Sequence, residues 1–326
     1  MKGEYTMEKQ LCTYALKEIL EEHTDHSKTI RAKQIMDILE HVYDMRISRK
    51  KLYSSLRQLE ELGNTIIYDP HSKGYKLKNR LFSKGEVFIL CNAVHASNFI
   101  SQECSKNLIN KLLKSLSKAD RNEYNDEVFK PNPKKVDNNE LMHNIEIAST
   151  AISQHKKMSF RYMHYNCQKE LKPASDSIIL IEPRYICYVD GRPYLIIEGG
   201  REPGFMHFRL DRMCDAKVSN TSCILPFNRI DAYEYANNKL FMFAGKDVTV
   251  TIRCKKRVLD TMIDLFGRSI MLRNNDSDHY EFNVKVNDNG IVFLAQQYLD
   301  VIEIISPLEI RNRVRKALIH AVELYK

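Results

Sequence analysis

Residues 46–63 hold the stretch that most narrows the folds open to this chain. Leu52, Leu56, Leu59 and Leu62 recur at helical spacing, so one stripe of the segment faces a core. Ser48 is placed to cap the start, and Gly63 to take the left-handed conformation that ends a helix. The other side is left with Arg49, Lys50, Tyr53, Ser54 and Arg57, and no acid interrupts the run from Arg46 to Arg57. Next, Thr65–Tyr68 and Gly74–Leu77 flank Asp69-Pro70-His71-Ser72-Lys73, a turn-rich loop between two short strands. A short helix carrying clustered cations and hydroxyls beside a hairpin has the shape that enters a DNA major groove.

Two helices precede it. Residues 8–22 place Leu11, Tyr14, Ala15, Ile19 and Leu20 at helical spacing. Arg31–Val42 turns Ile35, Ile38 and Leu39 inward, with Thr29 as its expected cap. Three helices plus a hairpin predict a winged helix-turn-helix over residues 1–80.

Residues 81–138 read as a helical segment and linker. Ser83 and Glu86 have capping-box spacing, and Phe82 can staple onto Val87. A second helix runs from about Gln102 to Leu116. A pair this apolar serves either as a dimer surface or as packing for its own neighbours. Residues 119–138 are polar, contain Pro131 and Pro133, and read as a linker.

Residues 139–245 change period. After a helix from Glu140 to about His155, strands follow at Met158–His164, Ile178–Val189, Tyr194–Glu198 and Met206–Leu210, with Asp190-Gly191 as a hairpin turn. This predicts a small antiparallel barrel or sandwich, followed by a connector over 221–245. Residues 246–326 then alternate as βαββαβ with a trailing helix, a ferredoxin-like order. The fold class expected is α+β and multidomain.

The 326 residues suit two or three domains, and 43% apolar with 28% charged residues is ordinary for a soluble globular protein. A formal charge of +8 permits nucleic-acid binding without requiring it. None of the eight cysteines forms a C-x-x-C pair, which favours buried, reduced thiols and a cytoplasmic protein over disulfides or zinc. His164 and Cys167 lack a second ligand pair, so no metal and no cofactor is expected. No apolar stretch reaches membrane-spanning length and no membrane partner is expected.

The middle segment resembles the WYL domain. The likeness rests on Phe160-Arg161-Tyr162, Glu182-Pro183, Tyr188 to Leu195, and Phe208-Arg209-Leu210-Asp211-Arg212-Met213. Pro193 stands where the family's name-giving tryptophan is expected, and the chain has no tryptophan. The N-terminal segment is similar to the DeoR-like winged helix, through Ser48, Arg49, Leu52 and Leu56-Arg57-Gln58-Leu59. The C-terminal segment resembles the WCX extension, through Glu303 to Pro307 and the last helix. The resemblance implies an Sm-like β-barrel, a homodimer, and transcription controlled by a ligand held in a basic groove.

The expected DNA contacts are Ser48, Arg49, Lys50, Lys51, Tyr53, Ser54, Arg57, His71 and Lys73, on a double-stranded operator that is an inverted repeat. The expected ligand contacts are Tyr162, His164, Arg184, Tyr188, Tyr194, His207, Arg209 and Arg212. A basic face dotted with tyrosines suits a small anionic effector, a nucleotide or a short single-stranded nucleic acid. Strand alternation puts His207, Arg209 and Asp211 on one face and Phe208 and Leu210 on the other. The bland alternative makes the tyrosines core and pairs Arg212 with an acid. No Walker A, G-x-S-x-G or H-E-x-x-H motif occurs, so a nucleotide-processing enzyme is disfavoured. The remaining alternative is an RNA-binding or nuclease-modulating accessory protein of a defence system.

Overall fold

A computed structural model describes residues 2–124, 130–173, 175–198, 205–224, 231–243, 245–274 and 276–326. The architecture is mixed α+β, with several antiparallel sheets, in two compact units, 1–139 and 140–326.

In the first unit, α1 (Lys2–His23), α2 (Ala32–Tyr43) and α3 (Arg49–Glu61) pack around Leu16, Ile19, Leu20, Ile35, Leu39, Leu52, Leu56 and Leu59. The hairpin β2 (Ile66–Asp69) and β3 (Gly74–Leu77) gains a third strand that the sequence reading lacks, β1 (Ile30–Arg31), in the order β1-β3-β2. Thr29 does not cap α2. Its hydroxyl donates to Ser72 Oγ at 2.8 Å, while Gln34 Oε1 accepts from Arg31 N–H at 3.0 Å. The close approach of Thr29 explains Gly74, where a Cβ would lie 2.5 Å from Thr29 Oγ1.

Next come α4 (Lys84–Ala96), α5 (Gln102–Leu113) and α6 (Lys118–Asn122). The Ser83–Glu86 capping box forms, at 2.7 and 3.3 Å, and Phe82 packs against the Val87 cluster. Val87 and Cys91 meet Ile109, Leu113 and Leu116, while Phe88 and Ile89 stay exposed. The expected polar linker, 119–138, opens in helix α6 and is tied down again over 130–138. Val136 is buried, and Lys135 Nζ donates to the carbonyls of Val94, Ser97 and Ile100 and to Ser105 Oγ. Its ammonium satisfies carbonyls that the end of α4 leaves open.

The second unit begins with α7 (Leu141–Ser153) and β4 (Lys156–Tyr165). β10 (Met213–Ser222) pairs one side of β4; β5 (Leu171–Pro173) and β6 (Ile179–Ile181) pair the other. A second sheet holds β7 (Pro183–Val189), β8 (Arg192–Glu198) and β9 (Phe205–Arg209), in that order. The expected strand 178–189 is broken at Glu182, where the chain passes from the first sheet to the second. A 3-10 turn, Leu210–Arg212, passes it back from β9 to β10. Pro193 sits near the start of the central strand β8, not on an edge. Its partner is Tyr188 of β7, and the β9 ladder ends one residue further on, at Tyr194, so the missing N–H breaks no bond to β9.

After α8 (Ala232–Asn238), β11 (Asp247–Lys255), α9 (Leu259–Phe266), β12 (Arg273–Asn274), β13 (His279–Asn287), α10 (Asp288–Gln297), β14 (Ile302–Ser306) and α11 (Leu308–Leu324) complete the chain. The sheet order is β12-β13-β11-β14, all antiparallel. The core lies between sheet and helices, around Val250, Ile252, Met262, Phe282, Leu294 and Ile304. The second strand of the expected βαββαβ order is only the two residues of β12.

Candidate nucleic-acid and ligand interfaces

In α3, Ser48 Oγ accepts from Lys51 N–H at 3.3 Å, so the cap forms and draws Ser48 into the helix start. Leu52, Ser55, Leu56 and Leu59 are buried. Arg49, Lys50, Tyr53, Ser54 and Arg57 are exposed and Lys51 is half-buried. In the hairpin loop, His71 and Lys73 are exposed. Ser72 between them is structural: its hydroxyl donates to Asp69 Oδ2 at 2.6 Å and its carbonyl accepts from Arg31 Nε at 3.1 Å. Asp69 Oδ1 also accepts from His71 N–H at 3.0 Å.

The sequence reading missed a tyrosine cluster here. Tyr68 and Tyr75 face each other across the hairpin, ring centroids 5.1 Å apart. Burial pushes the Tyr75 hydroxyl up, and Tyr53 and Tyr68 add to the shift. The signal was present: a four-residue loop pairs Asp69 with Gly74 and therefore Tyr68 with Tyr75.

In the second unit the ligand candidates divide into three groups. Tyr162, His164, Arg209 and Arg212 gather where β4 meets the 3-10 turn. Tyr162 accepts from Arg209 N–H at 3.2 Å, and its ring meets His164 at 5.3 Å and Phe208 at 5.4 Å. Burial pushes its hydroxyl up, against the opposing Arg209 N–H and the charges of Arg212 and Arg209. Arg209 grips the fully buried Asp211 through two bonds, at 2.9 and 2.5 Å. Arg212 instead lies over the Tyr165 ring, 5.6 Å from the centroid.

Tyr194 and His207 are not on an open face. Tyr194 is 7% exposed and packs edge-on to His207, centroids 5.7 Å apart. His207 Nε2 donates to the Met242 carbonyl, and its Nδ1 meets the Tyr235 hydroxyl at 3.4 Å. Both faces of β8 are covered, Leu195 and Ile197 on one side, Tyr194 and Ile196 on the other. Alternation therefore misleads here.

Arg184 is 1% exposed, with Glu182 Oε2 at 3.4 Å, so it is a structural ion-paired residue rather than part of an open groove. Tyr188 stands apart and is exposed. Asn144 was missed. It is fully buried in α7, and its Nδ2 donates to Leu210 O at 3.0 Å and Met213 O at 2.8 Å, clamping the turn that carries Asp211 and Arg212.

This turn lies within the segment that the WYL family model matches, residues 143–218. The chain carries a WYL domain. All eight ligand candidates fall inside the WYL segment. Among solved structures the chain is similar to proteasome accessory factor B/C (PafBC) of Arthrobacter aurescens, at 16% identity over 98% of this chain and 49% of that one, TM-score 0.28. It is also similar to a CRISPR Cas-related protein, at 12% identity over 96% and 92%, TM-score 0.38. The chain thus spans about half the length of the PafBC chain. No curated protein matches the chain. Among the described residues no helix is long and apolar enough to cross a membrane.

Proposed function

We propose that the chain is a sequence-specific DNA-binding transcriptional regulator, a binding protein rather than an enzyme, whose WYL domain senses a small anionic effector. One observation carries this reading. Arg49, Lys50, Tyr53, Ser54 and Arg57 are exposed along α3 from its start and hold cations and hydroxyls, and the first exposed carboxylates of the helix come only at its end, at Glu60 and Glu61. Residues 1–80 then act as a winged helix-turn-helix. The first turn of α3 meets base edges, and the loop bearing His71 and Lys73 meets phosphates.

Residues 139–245 are read as an Sm-like barrel, supported by the two corners at Glu182 and Leu210–Arg212 through which the chain passes between the two sheets. Residues 246–326 are read as the ferredoxin-like WCX extension, supported by the order β12-β13-β11-β14. The effector is a nucleotide or short single-stranded nucleic acid. Its phosphate meets Arg212 and its base stacks near Tyr162, His164 and Tyr165. A homodimer reads an inverted repeat, and the exposed Phe88 and Ile89 of α4 offer an apolar surface for it.

The test is selection of duplexes from a random pool by the full chain, followed by fluorescence anisotropy across salt concentrations. An inverted repeat bound well above random duplex is expected. Binding confined to RNA, or equal binding to every duplex, overturns the reading and favours the accessory-protein alternative.

A further inference from the structure

Residues 246–326 contain a cleft that neither the DNA reading nor the effector reading uses. It lies between α11 and the edge strand β14, with β11 also lining it, and has a volume of about 750 Å³. That is the size of a small-molecule site. Arg311 holds its two sides together, donating to Glu303 at 2.7 Å and to the Ile304 carbonyl at 3.2 Å, so the cleft is preformed.

Its charges do not balance. Arg253 and Lys255 of β11 and Arg311 and Arg315 of α11 line it, against the carboxylates of Asp300 and Glu303. Both carboxylates are engaged. Glu303 accepts from Arg253 at 3.2 Å as well as from Arg311, and Asp300 pairs with Arg257 at 3.2 Å. His279, also on the wall, pairs with Asp276 at 3.0 Å. Lys255 and Arg315 have no ion pair among the described residues. Leu299, Leu308 and Leu318 supply apolar wall beside them. Two uncompensated cations next to apolar surface favour a ligand that brings both anionic charge and an apolar body.

We propose that this cleft is a second ligand site, for a small organic dianion whose body lies against the leucines and whose charges meet Lys255 and Arg315. Carboxylate and phosphate both have the required chemistry. The site is independent of the DNA and effector readings.

Isothermal titration calorimetry on the full chain tests it, with naphthalene-2,6-dicarboxylate, 1-naphthyl phosphate and uncharged 1-naphthol as probes. At least one anion binds and 1-naphthol does not; the tighter anion names the carboxylate or the phosphate class. Lys255→Ala and Arg315→Ala each weaken that binding about tenfold or more, and the binding persists in Arg212→Ala, which removes only heat from the effector site. Leu318→Trp, which keeps both cations and fills the cleft, also abolishes it. The proposal is overturned if neither anion gives a saturable heat of either sign at millimolar concentration, or if binding survives both alanine variants. Loss in Arg212→Ala overturns it as well, by moving the probe to the WYL domain. Self-association that disappears in Leu318→Trp, with no anion bound, gives the cleft to a second copy of the chain and also overturns it.

Discussion

The guanidinium of Arg212 lies over the ring of Tyr165, 5.6 Å from its centroid, and its buried Nε has no hydrogen-bond partner among the described residues. Arg209, in the same short motif, has both bonds committed to Asp211. One arginine holds the turn together; the other is the one that the proposed function gives to the effector.

Their substitutions therefore separate. Arg212→Ala is expected to weaken binding of a nucleotide or short oligonucleotide by the full chain about tenfold or more, with little change in stability. Arg209→Ala removes the bidentate partner of a buried carboxylate and is expected to destabilise the WYL domain by about 2–4 kcal/mol in urea denaturation. Equal effects of the two on stability would contradict this division.

On α3, Arg57→Ala is expected to weaken every duplex alike and to reduce the slope of log affinity against log salt by about one unit. Arg49→Ala does the same and also relaxes base preference at one position of each half-site, by about 1–3 kcal/mol. Anisotropy with single-base operator variants reads both. An unchanged salt slope in Arg57→Ala places that residue off the backbone.

Asn144→Leu strips two donated bonds from the turn carbonyls of Leu210 and Met213 inside the WYL domain. The expected loss is about 2–4 kcal/mol in urea denaturation, because two buried acceptors lose their donor. Effector affinity falls with it, since the turn positions Arg212. A variant as stable as the parent would show that the clamp is dispensable.

His207 makes stability depend on pH. Burial lowers it below the ordinary imidazole value of 6.5, against the opposing bond to the Met242 carbonyl, and Lys239 adds to the lowering. The unfolded chain then binds more protons than the folded one in the window below 6.5, so stability rises with pH there and falls on acidification. The Tm of the second unit is expected to drop from about pH 7 to about pH 5, and His207→Gln to flatten that drop. An unchanged slope in the variant assigns the dependence to other groups.

The local signals in the chain were legible. The Ser48 cap and the Ser83–Glu86 box form from residues within one turn of each other, so their spacing alone describes them. Strand β1 was not legible, because two residues carry no period and owe their strand character to pairing with Tyr75 and Gly74. Lys135 reads as a linker charge until the end of α4 is folded beside it. At the candidate site, Arg209 and Arg212 look alike in sequence. Only Asp211, folded beneath the turn, tells them apart.

Amino-acid order alone determined where the long helices lie, which side of α3 is apolar and which cationic, and that a WYL-like segment occupies the middle. The helices and the two sides of α3 follow from periodicity and nearest-neighbour chemistry, which act over a few residues, and the WYL-like segment from its resemblance to that family's motifs. Tertiary structure decided which polar side chains remain available. Tyr194 and Arg184 are enclosed because strands and helices distant in sequence cover both faces of their sheet, and burial is a property of what packs on a surface, not of the strand that carries it.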